Sequence, residues 1–216
     1  TPGGVVFRNE VLELIQYAPQ TDVVSEVPAL LVPPTINKFY ALDLAPERSL
    51  VEFGVRQGRQ MFVISWRNPD SRHAAWNFDT YVRAVLDALD AVEEITGSAR
   101  TMLGGVCSGG ILASTAAAYL AGIGRRDRLA ALCLAVTVID NHDAGTISAL
   151  VDEGLAGRAK AKSARKGYLD GQALAEVFAW LRPNDLVWNY WVNNYLLGKR
   201  PPAFDILFWN SDTTRM

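Results

Sequence analysis

Histidine and cysteine are scarce in this chain: its 216 residues hold two of each, His73, His142, Cys107 and Cys133. Two cysteines make no disulfide framework, so a reducing cytoplasm is the expected setting. No arrangement of these residues has metal-ligand spacing, and no metal or other cofactor is expected. An excess of one charge is missing too. The 21 basic residues nearly cancel the 23 acidic ones, which leaves no field favouring nucleic acid or anionic lipid. Long apolar runs are absent: Leu129 to Ile139, the most apolar stretch, is far short of the ~20 residues that cross a bilayer, so no membrane span is expected. Thr1-Pro2-Gly3-Gly4 carries neither an initiator methionine nor an export signal, and the chain is expected to begin inside a longer protein.

What is present is an ordinary globular composition, 50% hydrophobic and 20% charged, enough for one well-buried core. Val5 to Phe7 and Val11 to Tyr17 are β-prone runs around Asn9-Glu10 and predict a hairpin. Pro28 to Val32 reads as a buried strand stopped by Pro33-Pro34. Ser49 is placed to cap a helix toward Gln57, with Gly58 ending it. Gln60 to Trp66 reads as another strand.

Phe78, Tyr81, Val82, Val85, Leu86, Leu89, Val92 and Ile95 recur at three- and four-residue steps, which predicts one long amphipathic helix stopped by Gly97. Thr101 to Val106 reads as a strand, Ile111 to Leu120 as an alanine-rich helix and Leu129 to Ile139 as a long buried strand, with Cys133 a small buried hydrophobe in its middle. Strands alternating with helices imply an α/β fold with a mainly parallel sheet covered on both faces. Beyond Asp140 the pattern turns helical and rich in Trp and Tyr, as expected of an insertion lying over the carboxyl ends of the strands. The expected division is a core over 1–145, a helical cap over 146–203, and a return to the core over 204–216.

The chemistry centres on Gly105-Val106-Cys107-Ser108-Gly109, between a predicted strand and a predicted helix. In a nucleophile elbow the chain turns sharply there and lifts the nucleophile above the sheet, with glycines where side chains would collide. The helix start then aims free N–H groups at the nucleophile, where they can stabilise an oxyanion. A glycine-rich turn around an inert cysteine would share the five-residue pattern; the flanking strand and helix favour the elbow. Val32-Pro33-Pro34-Thr35-Ile36-Asn37-Lys38 is the loop from which a second oxyanion donor should come. On its own it reads equally as a rigid strand exit.

Five segments together resemble the polyhydroxyalkanoate synthases. They are Leu31 to Leu44, containing the proline-rich loop; Ser65-Trp66-Arg67-Asn68-Pro69-Asp70; the elbow, with Cys where lipases carry Ser; Leu181 to Tyr190 followed by Asn193 to Leu196; and Pro202 to Asn210. The resemblance implies an α/β-hydrolase core with a helical cap and polymerisation of 3-hydroxyacyl-CoA into polyester with release of CoA. It implies Cys107 as nucleophile, the backbone N–H groups of Ile36 and Ser108 as the oxyanion hole, and Asp43 as a further residue of the oxyanion-loop segment. It also implies a homodimer at the surface of cytoplasmic polyester granules. The elbow and the Asn189 to Asn194 stretch look closer to synthases of medium-chain substrates.

A cysteine-based triad also needs a histidine and an orienting carboxylate. In the family these sit on loops after later strands, which are expected beyond Met216. His142-Asp143 stands at the correct edge of the sheet for a replacement base, whereas His73 reads as a surface or capping residue. Two rival readings follow, a cysteine-dependent acyl-CoA thioesterase and an inactive binding subunit of the same fold. The basic run Arg158, Lys160, Lys162, Arg165, Lys166 reads as a solvated helix face, and the cap aromatics Trp180, Trp188, Tyr190, Trp191 and Tyr195 as cap packing.

Overall fold

A computed structural model describes residues 1–140, 142, 153–169, 171, 173 and 184–201. Strands β1 (Gly3–Arg8) and β2 (Leu12–Tyr17) form the expected hairpin. After β3 (Ala29–Val32) come a tight turn of helix over Phe39–Leu42 and a small two-stranded sheet of β4 (Asp43–Ala45) and β5 (Arg48–Ser49). Helix α1 (Leu50–Arg56) begins where Ser49 accepts a hydrogen bond from the Glu52 N–H, and Gly58 follows it with φ +70°. Strand β6 (Met61–Trp66), helix α2 (Phe78–Thr96), strand β7 (Thr101–Val106), helix α3 (Ser108–Gly122) and strand β8 (Leu129–Ala135) complete the described core.

The main sheet runs β1-β2-β6-β3-β7-β8. Its β6-β3-β7-β8 part is parallel, and β1 and β2 extend it antiparallel. Because alternate residues of a strand face opposite sides, β6 divides its side chains between two clusters. Phe62 and Ile64 join Leu14, Leu30, Leu103, Val85, Leu89 and Ala116 under α2 and α3. Met61 and Val63 pack with Tyr17, Val51 and Val55 under α1. Helices therefore lie on both faces. Gly97 ends α2 in the left-handed region, as the sequence predicts, and Asn77, which sequence reasoning did not single out, caps its start through the Thr80 N–H. The predicted apolar stripe holds in the middle of α2, whereas Phe78 and Ile95 at its ends are exposed.

The long buried strand expected over Leu129 to Ile139 is corrected on two counts. Strand β8 stops at Ala135, where Val136 takes φ +46° and turns the chain out of the ladder. It is also the last strand of the described sheet, so most of its side chains, Cys133 among them, are exposed. An apolar run reports that a segment belongs in a core, not whether both of its faces are covered among the described residues.

Within the expected cap, α4 (Glu153–Lys166) is helical and its basic residues are exposed. A side-chain carbon at Gly167 would stand 3.2 Å from Ala74, so the end of α4 lies beside the loop that leaves the carboxyl end of β6. Two π-helical stretches, Asn184–Trp188 and Trp191–Leu196, present Trp188, Trp191 and Tyr195 on the surface, with the last two rings stacked at 4.5 Å. Trp191 and Tyr195 thus pack on each other, while all three side chains are otherwise exposed. The boundaries at 145/146 and 203/204, Asp143, Trp180 and the Pro202 to Asn210 segment lie outside the described residues.

Candidate active site

Strand β7 ends at Val106 and α3 begins at Ser108, so one residue makes the whole turn. That residue is Cys107, with φ 53° and ψ −124°. A side chain in this region costs on the order of 1–3 kcal/mol, and it persists because the peptide is held from both sides. The Cys107 N–H donates to the Ala135 carbonyl at 3.0 Å, and the Cys107 carbonyl accepts from Gly110 N–H at 2.9 Å.

The glycines around the turn are dictated by close approach. A Cβ on Gly105 would stand 2.5 Å from the Gly110 Cα, and one on Gly109 2.3 Å from the carbonyl oxygens of both Val32 and Pro33. The start of α3 is thus pressed against the exit of β3. Helix α3 begins three residues earlier than the apolar pattern predicts, because Ser108, Gly109 and Gly110 contribute backbone rather than apolar side chains to its first turn.

Strands β3 and β7 are neighbours, with Val32 paired to Gly105, so the loop after β3 passes beside the elbow. Three bonds fix it there. The Trp66 indole N–H donates to the Pro33 carbonyl at 2.9 Å, in a buried position. The Thr35 N–H donates to the Ser108 hydroxyl oxygen at 3.0 Å, and the two hydroxyls lie 3.1 Å apart. Ile36 is the next residue, half-buried, and its N–H makes no hydrogen bond among the described residues. The N–H of Ser108, first in α3, has no acceptor within the helix. The structure thus brings Cys107, Ser108 and Ile36 to one end of the parallel strands.

Asp43 is not brought there. It opens β4, where its carboxylate accepts from the Thr1 hydroxyl at 2.6 Å, and none of its described contacts is with the elbow. His73 is a capping residue: its Nδ1 accepts from the Asp70 N–H at 3.1 Å and its ring lies 4.2 Å from that of Trp76. His142 is exposed, and the hydrogen bond described for it is a local one, from its N–H to Asp140.

Sequence reasoning overlooked Thr35 and Trp66 as the residues that hold the loop. It also overlooked a cavity of about 380 Å³ beside it, lined by Thr35, Trp76, Phe78, Tyr81, Ser108 and Ile111. Trp66, Trp76 and Tyr81 pack edge to face around this region, and burial raises the Tyr81 phenol above its ordinary pKa. Tyr81 is legible in the sequence as part of an apolar helix stripe, but its shared location with Trp66 and Trp76 is not. Among the described residues no group of His, Cys, Asp and Glu could hold a metal ion, and no helix is long and apolar enough to cross a membrane.

A strand, a one-residue turn and a helix, with a proline-rich loop across its start, form the elbow region of the α/β-hydrolase class. Residues 28–215 match the family model for the alpha/beta hydrolase fold, and residues 1–54 match that for the poly-beta-hydroxybutyrate polymerase (PhaC) N-terminus. The fold is similar to that of an ester-hydrolase from the metagenome of Lake Arreo, with a TM-score of 0.50 and 18% identity, covering 70% of this chain and 49% of that one. The chain is 51% identical over 214 residues to poly(3-hydroxyalkanoate) polymerase 1 of Ectopseudomonas oleovorans, covering 99% of this chain and 38% of the relative. It is 46% identical over 225 residues to the poly(3-hydroxyalkanoate) polymerase subunit of Cupriavidus necator, covering 100% and 38% respectively. The chain therefore belongs to the α/β-hydrolase superfamily and, within it, to the polyhydroxyalkanoate synthase family, while spanning under two-fifths of the length of these relatives.

Proposed function

We propose that this chain carries the acyl-loading part of a polyester polymerase. The Cys107 sulfur attacks the thioester carbonyl of a 3-hydroxyacyl-CoA. A bond forms between Sγ and the carbonyl carbon, and the negative charge on the carbonyl oxygen is held by the N–H groups of Ile36 and Ser108. The bond to the CoA sulfur then breaks, and CoA leaves with the proton that Cys107 gave up. One thioester replaces another, so loading is close to balanced in energy. The acyl group then passes to the 3-hydroxyl of another substrate molecule: a C–O ester bond forms, the C–Sγ bond breaks and the hydroxyl's proton goes to the departing Cys107 sulfur. An apolar, water-poor setting favours that attack over hydrolysis.

The observation that carries this reading is the backbone of Cys107, turned to φ 53° between β7 and α3 with the Thr35 loop tied to its neighbour. A base for the thiol is expected from the part of the relatives that this chain does not span. A homodimer at cytoplasmic polyester granules is proposed with it from the family resemblance, and medium-chain substrates from the elbow and the Asn189 to Asn194 stretch.

The test is the full-length protein given 3-hydroxyacyl-CoA, followed by intact mass and released CoA. An acyl adduct on Cys107, polymer, and neither adduct nor polymer in Cys107→Ala support the proposal. Free 3-hydroxy acid without polymer would identify a thioesterase. The binding-subunit reading has one observation in its favour, since neither described histidine contacts the elbow. It predicts no CoA release at all.

A further inference from the structure

The geometry points to the Ser108 side chain as a positioning residue, a clamp that holds the oxyanion loop in register with the elbow. This inference rests on the proposal that the Ile36 N–H is an oxyanion donor. Thr35 is buried, and its N–H has one described acceptor, the Ser108 hydroxyl oxygen at 3.0 Å. The Thr35 hydroxyl, 3.1 Å from the same oxygen, supplies a second bond, so two contacts join residues 73 apart in sequence. The Pro33-Pro34 pair stiffens the loop, but prolines donate no hydrogen bond that could anchor it. The Trp66 bond fixes the loop at Pro33, three residues before Ile36. Between that point and Ile36, the Ser108 bonds are the described attachment to the elbow helix. Ser108 therefore has two separable parts: its N–H faces the developing charge, and its hydroxyl sets where the opposite N–H stands.

Without the hydroxyl, the buried Thr35 N–H loses its partner, and an unsatisfied donor of this kind drives a loop to rearrange. The Ile36 N–H, one peptide further on, moves with it. The effect should appear only in reactions that pass through an oxyanion. Acylation of Cys107 by S-phenyl thioacetate does so: Sγ bonds to the carbonyl carbon and thiophenolate leaves. Alkylation by iodoacetamide does not, because iodide is displaced at a saturated carbon.

The experiment measures both rates at Cys107 in a Cys133→Ala background, at about pH 9, where a free thiol is mostly ionised without a base. The readout is the ratio of acylation to alkylation relative to a model thiol. The expected result is a raised ratio in the parent protein. In Ser108→Ala it should fall about 10- to 100-fold, with alkylation unchanged, and Ser108→Thr should restore it. That is less than the ~100- to 1,000-fold of removing an oxyanion donor outright, because the donor is displaced rather than lost. A raised ratio that survives Ser108→Ala overturns the clamp and leaves the proposed function standing. A parent ratio no higher than that of the model thiol overturns the oxyanion hole and the clamp with it. Should Ser108→Ala fail to fold, amide exchange in the parent decides: Thr35 must exchange more slowly than Ile36, and equal rates sink the inference.

Discussion

Gly109 shows how much of the site is decided by single atoms. A Cβ there would lie 2.3 Å from two backbone carbonyl oxygens, neither of which can swing away as a side chain would. Gly109→Ala should push the loop after β3 off the elbow, at a cost of about 1–3 kcal/mol, the usual scale of overpacking. Thermal unfolding would register the loss of stability, and CoA release the loss of acyl loading. Tyr17 makes a second prediction. Burial, aided by the Asp43 carboxylate, pushes its phenol up to about 12. The folded state thus holds a proton that the unfolded chain releases above about pH 10. Stability should be unaffected by this group below pH 10 and should fall between about pH 10 and 12, by up to 1.4 kcal/mol per pH unit. Denaturant titrations of the parent and Tyr17→Phe proteins would check this, since the variant should lose that part of the alkaline slope. At this scale the sequence disclosed Cys107 and its glycines, because a strand–turn–helix pattern imposes them locally. The Thr35–Ser108 bond could not be read, since it joins positions 73 apart that share no periodicity.

Elements were most legible where a local signal stood at each end. Ser49 caps α1 and Gly58 follows it, and Gly97 ends α2, as read from the sequence; the Asn77 cap of α2 was not read. Asn77→Ala should cost about 1 kcal/mol through its cap and lower the melting temperature by a few degrees. The contact between α2 and the start of β8 had no such signal. Arg128 is buried there, with its guanidinium on Glu93 at 2.8 Å and on the more exposed Asp90. These carboxylates hold its pKa above the usual arginine value. Arg128→Ala should destabilise by about 1–2 kcal/mol, between the effects of exposed and of buried ion pairs. Urea unfolding would measure it, and Arg128→Lys should recover only part of the loss. The misjudged length of β8 has a related cause. Hydrophobicity over Leu129 to Ile139 is continuous, and the backbone turn at Val136 leaves no mark in composition.

On the scale of the molecule, the alternation of strands and helices predicted the parallel sheet, and its order places the site. Strands β3 and β7 share a hydrogen-bonded ladder, and the two proposed oxyanion donors, Ile36 and Ser108, stand four and two residues beyond their ends. The ~4.8 Å spacing of adjacent strands brings the two segments side by side, and the Thr35–Ser108 bonds then hold the donors apart at a fixed distance. Because Leu30, Val32 and Leu103 are fully buried, the central amides of β3 and β7 should exchange only through openings close to global unfolding. On warming, acyl loading should therefore persist up to the temperature at which the whole sheet melts, and then vanish with it.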